Sequence, residues 1–434
     1  MLKRIIYILF FLPYVGFAQN ANLLTYQQAV EHALKNNYDI QIAKNNLTAS
    51  ELQNNYGGAG FLPKVDLMAN GSLSNNNTKQ EFSSGLIVDK KGVNSNNINS
   101  GAFLTWTIFD GMKMFATKER LNLMEQQGEL SLKIQIENTL EKVTINYYMV
   151  VKQEQLINGI KAAMKVSEER IILAKKKLEL GSGSNVELLQ AKMDLNAQKS
   201  NLINQKNTLN DYKTELLALI KPESNNSFSV DSVFVFESLS AIEDIKQKVE
   251  KQNNSILFSQ KKALITSQNI KEIRSQVLPK FGLTSNYIFG KTENSAGFAL
   301  LNQNLGYNLG FTFSWNLFNG FYTNNQLKVS QLQFQNNRLE EENTKTLRLL
   351  EVGNNYNRFL GDKESLDLEE ENIKLAEQSL KISSERLRLG LGNYLEIKQS
   401  QSSYEDAVTR LVNARFNLKK SETVLKKLAG ELIK

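Results

Sequence analysis

The sequence predicts an α+β membrane protein in which long antiparallel coiled-coil helices accompany a few β-strands, built as an internal two-fold repeat. Three observations predict this class. The chain repeats its own pattern once, and each copy contains stretches that alternate apolar and polar residues over about ten positions. Elsewhere, apolar residues recur at spacings of three and four across long stretches without proline.

The first residues have the pattern of a secretory signal peptide, expected to cover residues 1–18. Lys3 and Arg4 form a basic start, an apolar run follows over residues 5–12, and the stretch ends at Gly16, Phe17 and Ala18. The chain is therefore expected to be exported. With 0 Cys it has neither disulfides nor the thiol that a lipid-anchored export signal requires.

Charge and composition argue against several classes of function. The formal charge of +7 falls by the two charges of Lys3 and Arg4 to +5 once the signal is removed, and acids and bases are mixed along the chain. There is no basic block, so we expect no nucleic-acid partner. A single histidine, His32, and the absence of cysteine disfavour a zinc or thiol site. No nucleophile and base pair or phosphate-binding loop is visible, so we predict no enzyme and no cofactor.

Two repeats follow the signal. Residues 37–67 match residues 253–283 without a gap, so that Asn37 corresponds to Asn253 and Pro63 to Pro279. Residues 106–111 then match residues 315–320, and residues 178–190 match residues 387–399. We expect a first repeat over residues 19–220, a connector over residues 221–241 and a second repeat over residues 242–434.

Each repeat is predicted to hold two strands that start after a proline. Pro63 and Pro279 should end a helix and bend the chain into a strand, because proline breaks the helical hydrogen-bond ladder. The strand pairs are expected at about residues 64–110 and 280–318, with the Asn-, Ser- and Gly-rich residues 71–101 as a surface loop. After the signal no run of about 20 apolar residues occurs, so membrane insertion is expected through these strands.

The stretch LGYNLGFTFSWNLFNG, residues 305–320, carries the sharpest strand pattern. Small polar residues such as Asn308, Thr312 and Ser314 alternate with large apolar ones, and no charged residue occurs on the polar side. This pattern is typical of a strand with lipid on one side and water on the other. The lipid-facing residues are predicted to be Leu309, Phe311, Phe313 and Trp315.

The helices are predicted to be very long and to fold back as hairpins. No proline interrupts residues 112–179, and about 68 residues at about 1.5 Å each would extend roughly 100 Å. The apolar seam of the following helix recurs in the second repeat, where Leu411, Leu418 and Leu425 match Leu202, Leu209 and Leu216. Glycine-containing turns are expected at residues 181–184 and 390–393, where positive φ angles are needed.

Four strands cannot close a barrel, so copies of the chain must share one. Two copies would supply eight strands and three would supply twelve, and spacing alone does not choose between them. An exported soluble coiled-coil scaffold, with the strands as a small cap, is the alternative from a different functional class.

The signal peptide, the tandem repeats, the prolines before the strands and the glycine turns between long helices together resemble the TolC-like outer-membrane efflux proteins. The resemblance covers nearly all of the mature chain. It implies a homotrimer with a shared 12-stranded barrel in the outer membrane and a helical tunnel (an α-barrel) in the periplasm. It further implies a passive exit duct, for small molecules or polypeptides, of a tripartite efflux or type I secretion system. The partners would be an inner-membrane pump, a periplasmic adaptor of the membrane fusion protein class and outer-membrane lipid.

The resemblance also assigns roles to the periplasmic turns and to residues near them. Adaptor docking would use the two turns, with Leu180, Gly181, Gly183, Leu389, Gly390 and Gly392. Family members often carry Asp in an entrance ring where this chain has Glu396, whose first-repeat equivalent is Glu187. A second acidic residue is expected where this chain has Gln399, so Glu396 alone would supply the entrance charge. The alternative is a solvated Glu396 favoured by the helix dipole. Arg388 and Tyr394 are candidate latch residues, and residues 222–241 would belong to a belt around the tunnel.

Overall fold

The computed structural model describes residues 22–221, 228–297 and 299–433, and the expected signal peptide lies outside them. In chain order, the strands and helices are β1 (Asn22–Leu24), α1 (Tyr26–Asn36), α2 (Tyr38–Gln53), β2 (Lys64–Glu81), β3 (Ile87–Phe109), α3 (Lys113–Glu179), α4 (Asn185–Ile220), β4 (Phe228–Val230), α5 (Ile242–Gln252), α6 (Asn254–Arg274), β5 (Lys280–Asn294), β6 (Leu301–Ser314), α7 (Tyr322–Arg388) and α8 (Tyr394–Leu428). Helices α3 and α7 each contain 67 residues, as the proline-free periodic stretches predict.

The chain forms two compact units. The helical unit includes the chain up to Asn37 together with Thr139–Leu239 and Tyr356–Val424. The sheet unit takes in Tyr38–Asn138, Ser240–Asn355 and the chain from Leu425. Helices α3 and α7 contribute to both units.

The sheet unit contains a four-stranded antiparallel sheet in the order β2-β3-β5-β6. The expected surface loop over residues 71–101 is wrong, because β2 and β3 pair through this stretch and only residues 82–86 connect them. Asparagine side chains reinforce the ladder: Asn75 Nδ2 donates to Asn94 Oδ1 at 2.6 Å, and Asn77 Oδ1 accepts from the Gly92 amide at 2.9 Å. A composition typical of loops is therefore compatible with a strand whose side chains bond to each other.

The second strand pair ends earlier than the sequence predicts. Strand β6 stops at Ser314, so Trp315 follows the strand and the expected extension to residue 318 is wrong. Gly320 and Phe321 both have a φ of 63°, which turns the chain from the strand towards α7. The corresponding Gly111 and Met112, between β3 and α3, have φ angles of 73° and 72°.

The helices of the sheet unit lie in the same order as the strands that continue them, α2-α3-α6-α7. Lys118 of α3 donates to the Asn54 carbonyl beside α2 at 3.2 Å. Arg120 of α3 pairs with Glu272 of α6 at 2.7 Å. Asn337 of α7 donates to Thr266 of α6 at 2.6 Å. Helices α2 and α7 are therefore the two edges of this row.

In the helical unit the order is α4-α3-α8-α7. Gln153 of α3 donates to Gln205 of α4 at 2.7 Å, and Arg170 of α3 donates to Gln401 of α8 at 2.9 Å. Arg410 of α8 donates to Glu369 of α7 at 3.0 Å. The main apolar core of this unit is formed by buried residues of α1, α3, α4, β4 and α8, among them Ala33, Val143, Tyr147, Leu216, Ile220 and Val230. Leu24 of β1, which pairs in parallel with β4, packs against this core and is partly buried.

The two repeats end their helices in the same way. Asn37 separates α1 from α2, and its side-chain Nδ2 donates to the Leu219 carbonyl at 3.0 Å. Its counterpart Asn253 separates α5 from α6 and donates to the Leu428 carbonyl at 2.9 Å. Leu219 and Leu428 are themselves equivalent positions, so the sequence repeat is also a repeat of buried hydrogen bonds. Within the described ranges, no helix is both long enough and apolar enough to cross a membrane.

Candidate functional site

One face of the four-stranded sheet is apolar on every strand. The register pairs Trp106 with Leu283 and Leu283 with Phe311 in one cross-strand row. A second row joins Phe109, Phe281 and Phe313, with ring centroids 6.2 and 5.0 Å apart. The predicted lipid-facing residues remain highly exposed in the single chain: Leu309 62%, Phe311 79%, Phe313 61% and, just beyond the strand, Trp315 54%. Exposed aromatic rows of this kind are typical of a surface that meets lipid.

The opposite face carries small polar residues. Thr312 pairs with Gly282, and Asn308 donates to Asn286 at 3.1 Å. The Thr284 hydroxyl donates to the Gly310 carbonyl at 3.3 Å. These side chains are short, and those of Thr284, Asn286 and Asn308 are hydrogen-bonded, so this face can border water without filling the space in front of it.

The junctions between sheet and helices have the same construction in both repeats. Pro63 and Pro279 stand directly before β2 and β5. Trp106 Nε1 donates to the Phe61 carbonyl at 2.8 Å, and the equivalent Trp315 Nε1 donates to the equivalent Val277 carbonyl at 3.0 Å. Each tryptophan thus satisfies its only donor against the backbone that enters the strand.

The predicted glycine turns lie between α3 and α4 and between α7 and α8. Gly181 and Gly390 have φ angles of 73° and 76°, which side chains rarely adopt. A Cβ on Gly183 would lie 2.8 Å from the Leu178 nitrogen, and one on Gly392 would lie 3.1 Å from the Leu387 nitrogen. Leu180 and Leu389 project from these turns with exposures of 81% and 68%. Each turn therefore presents exposed apolar side chains on a glycine-dependent backbone, Leu180 in the first turn and both Leu389 and Leu391 in the second.

The predicted entrance residues lie at the start of the helices that follow the turns. Glu396 is in the first turn of α8 and forms an ion pair with Arg386 of α7 at 2.9 Å, while its amide donates to Asn393 Oδ1 at 2.9 Å. Gln399 is exposed, and Glu187 is partly exposed in the first turn of α4. The charge of Glu396 is thus partly balanced by a residue that sequence reasoning did not identify.

The candidate latch residues do not meet each other. Arg388 pairs with Glu385 at 3.2 Å on the same helix. Tyr394 instead donates to Asp194 of α4, and the Arg170 guanidinium lies 4.6 Å from the Tyr394 ring centroid.

Around Asp194 the side chains form a network, here called the Asp194 cluster, that consists of Arg170, Asp194, Tyr394, Lys398 and Gln401. Asp194 accepts from Arg170 and from Lys398, both at 3.2 Å. Arg170 is 5% exposed, and Gln401 accepts from it while donating to Ser167 at 2.8 Å. The cluster joins α3, α4 and α8 through charged groups, of which Arg170 is buried, Asp194 is partly buried and Lys398 is exposed.

The cluster shifts the acidity of its members. Burial raises the pKa of Asp194, but hydrogen bonds from Tyr394, Lys398 and Arg170 outweigh burial, and the pKa lies below the ordinary value. Burial and the hydrogen bond to Asp194 raise the pKa of Tyr394 to about 12. Near neutral pH the carboxylate is therefore ionised and the phenol protonated.

Sequence reasoning missed Arg170, Asp194 and Gln401. A usable signal was present, since Ala163, Ser167 and Arg170 follow one another at spacings of four and three on the buried stripe of α3. A charged residue on such a stripe requires a buried partner. In the part of the chain that the structure describes, no group of His, Cys, Asp and Glu side chains is arranged to hold a metal ion.

Comparison with known proteins gives a consistent result. The family model described as "Outer membrane efflux protein" matches residues 29–220 and 247–431. The outer membrane protein TolC of Salmonella enteritidis is 22% identical over 442 residues, which cover 99% of this chain and 87% of that protein.

Two solved structures have a similar fold. The outer membrane protein VceC of Vibrio cholerae superposes with a TM-score of 0.74 at 16% identity, covering 93% of this chain and 96% of that one. The Campylobacter jejuni CmeC outer membrane channel superposes with a TM-score of 0.76 at 18% identity, covering 94% and 85% of the two chains.

Proposed function

This chain belongs to the outer membrane efflux protein family, and we propose that it is a passive exit duct through which an inner-membrane pump, coupled by a periplasmic adaptor, releases small molecules or polypeptides. The family membership confirms the resemblance drawn from the repeats and the outer-membrane location, with helices in the periplasm. It disfavours the exported soluble scaffold. No bond is made or broken in this function, so the residues act by shape, charge and docking.

The observation that carries the proposal is the four-stranded sheet with unpaired edge strands. Among the described residues, strands β2 and β6 each have a partner on one side only, and the apolar face of the sheet is exposed. Unpaired strand edges and exposed aromatic rows are costly in lipid, because backbone groups there find no water. Identical neighbours that pair β6 of one copy with β2 of the next would satisfy both edges, and three copies would supply twelve strands.

The edge helices support the same assembly. Three exposed apolar residues on α7 lie seven positions apart, namely Leu368, Leu375 and Ile382, with exposures of 57%, 57% and 60%, and Leu389 continues this spacing just after the helix. An exposed apolar heptad stripe on an edge helix is typical of a coiled-coil interface whose partner helix is absent. Helix α4, the other edge of the helical unit, exposes Met193 at 66% and Ile203 at 60%. We infer that these two bare faces meet between copies.

At the periplasmic end, the two turns are proposed as the adaptor-docking surface. Leu180 and Leu389 are the exposed apolar anchors, and the glycines fix the backbone that presents them. Glu396 is proposed as the source of negative charge at the entrance, and Tyr394 as a latch residue acting through Asp194 instead of Arg388. Which cargo passes is set at the pump in this proposal.

The duct is tested by single-channel recording in planar bilayers with matched seam variants. The wild-type protein, extracted from membranes, is expected to insert and conduct ions. Leu375→Glu places a charge in the bare seam and should abolish assembly and conductance. Lys374→Glu, at an exposed neighbouring position off the seam, changes the formal charge by more and should leave both unchanged. A wild-type protein that never conducts, or a Leu375→Glu protein that conducts normally, would contradict the proposal.

A further inference from the structure

At the membrane end of the sheet unit, an open pocket of about 410 Å³ lies between the start of α3 and the end of α6. Gly111, two residues after β3, and Leu278, two residues before β5, border it, and these strands pair there through Phe109 and Phe281. The pocket therefore lies at the level where the sheet gives way to the helices. Since the sheet lies in the outer membrane, this level is its periplasmic boundary.

The walls of the pocket are apolar and exposed on the sheet side. Met112 is 54% exposed, Phe115 53% and Leu278 42%. Phe115 also continues into the aromatic surface of the junction, because its ring packs edge-on against Phe61 at 5.1 Å. Phe115 thus links the apolar rim of the pocket to Phe61, whose carbonyl accepts from Trp106 on the apolar face of the sheet.

Away from the sheet the pocket is charged. Lys271 and Arg274 are exposed residues of α6 that line it, and neither forms a side-chain hydrogen bond or ion pair with the described residues. Glu119 of α3 also lines the pocket and has no such partner among them. Two basic residues and one acidic residue therefore line one cavity without a direct ion pair among them.

The other junction of the same chain lacks this charge set. The repeat positions that correspond to Lys271 and Arg274 are Asn55 and Gly58, and the position that corresponds to Glu119 is Lys328. The two junctions otherwise share their prolines, tryptophans and glycines. The charged pocket is therefore not required by the junction's construction.

A neighbouring copy is not needed to complete the pocket. Helices α3 and α6 are the two inner helices of the row α2-α3-α6-α7, and they are joined directly by the Arg120–Glu272 ion pair at 2.7 Å. Copies that join at the edge helices would leave the pocket open to the lipid boundary.

We propose that this pocket binds the headgroup of a zwitterionic aminophospholipid of the inner leaflet. Its phosphate is held by Lys271 and Arg274, its ammonium is held by Glu119, and its acyl chains lie along Phe115, Met112 and the apolar face of the sheet. Cations beside a bilayer surface attract phosphate, and the apolar rim accounts for a lipid in place of free phosphate.

Native mass spectrometry of the detergent-extracted assembly tests the site, with phosphatidylethanolamine, phosphatidylglycerol or inorganic phosphate added separately. The wild type should retain up to one phosphatidylethanolamine per chain. The double variant Lys271→Gln/Arg274→Gln should bind it roughly ten-fold or more weakly, because each cation near a lipid surface contributes about 1 kcal/mol, or about five-fold. Glu119→Gln should bind phosphatidylethanolamine more weakly while binding phosphatidylglycerol at least as well as the wild type.

The matched control is Lys113→Gln/Lys328→Gln, which removes two exposed charges near the starts of α3 and α7 that do not line the pocket. It should keep wild-type lipid binding. Equal loss in the control would overturn the site in favour of general surface attraction. Displacement of the lipid by inorganic phosphate would overturn it in favour of a simple anion site. Unchanged lipid binding in the double variant, with an unchanged melting temperature, would overturn it outright.

Discussion

At the residue scale, the entrance charge depends on a pair and not on one carboxylate. Glu396 was predictable from its position after the second turn, but Arg386, 2.9 Å away, was not, because an ion pair between two helices across a turn leaves no periodic signal. Both side chains are partly exposed, at 49% for Arg386 and 34% for Glu396, so the pair itself adds little stability. The pair is expected to act mainly on the electrostatic potential at the entrance.

Two substitutions should therefore move ion selectivity in opposite directions. Glu396→Gln removes the negative charge and should lower the cation-to-anion permeability ratio by about two-fold, whereas Arg386→Gln frees the carboxylate and should raise it. Reversal potentials in a salt gradient measure both, with Glu187→Gln as the first-repeat comparison. If both variants keep the wild-type ratio, Glu396 is a solvated helix-start residue and no entrance ring exists.

The Asp194 cluster gives a second prediction at this scale. Tyr394→Phe keeps the ring over Arg170 but removes the hydrogen bond to Asp194, which as a bond to a charged group is expected to contribute about 1.5–3 kcal/mol. If the cluster holds α4 and α8 together in the closed state, the open probability should rise roughly ten-fold or more. Tyr404→Phe, on the same helix and without a side-chain hydrogen bond to the described residues, is the control. Equal opening in both variants would refute the latch role of Tyr394.

The pH dependence of the cluster follows from the two pKa shifts. Ionised Asp194 stabilises the cluster above its ordinary value of 3.8, and this contribution is lost as pH falls through the lowered pKa. Protonated Tyr394 stabilises the cluster below its ordinary value of 10.0, and this contribution is lost as pH rises through about 12. Between about pH 5 and 9, conductance should therefore not change through this cluster. A Tyr394- and Asp194-dependent transition near neutral pH would contradict the assignment.

At the scale of elements, the helices could be predicted and the strand lengths could not. Spacings of three and four without proline fix a helix, so the limits of α3 lay within about one residue of the expectation. Strands β2 and β3 were underestimated because Asn, Ser and Gly are typical of loops. Here the side chains of Asn75 and Asn94 bond across the ladder, which residue type alone does not reveal. The ion pairs that order the helix rows likewise depend on tertiary contacts.

Gly111 and Gly320, the equivalent glycines at the two sheet–helix junctions, allow a test of the packing between neighbouring copies. A Cβ on Gly111 would lie 2.5 Å from the Ser275 carbonyl oxygen, whereas one on the equivalent Gly320 would meet nothing within 4 Å in the single chain. In the proposed assembly, Ala59 and Leu62 of a neighbouring copy, the repeat equivalents of Ser275 and Leu278, would lie beside Gly320. Gly320→Ala and Gly111→Ala should therefore both destabilise the assembly by about 2–3 kcal/mol, and not only by the roughly 1 kcal/mol of a positive φ.

Thermal unfolding of the extracted assembly measures this pair. Gly353→Ala, at a helical position with open space around it, should be neutral or slightly stabilising. If Gly320→Ala unfolds at a temperature well above that of Gly111→Ala, the neighbouring copy does not complete the second junction.

At the scale of the whole molecule, the sequence predicted that one chain is insufficient but not how many are required. Two structural features indicate that further copies are needed. They are the unpaired edges of the four-stranded sheet and the exposed heptad stripe of α7. The expectation of three copies comes from the family resemblance, because strand count and spacing allow two copies as well as three. The cargo is not encoded in these features, because a duct with a small polar inner face has no pocket shaped for one solute.

The measurement that tests the central claim most directly is the detergent-corrected mass of the protein extracted from outer membranes, by light scattering on a sizing column. Three chains per particle are expected, because three four-stranded sheets close a twelve-stranded barrel and three edge helices α7 find their partners. Two chains per particle would contradict the proposed trimer, and a protein released without detergent would contradict the membrane duct itself.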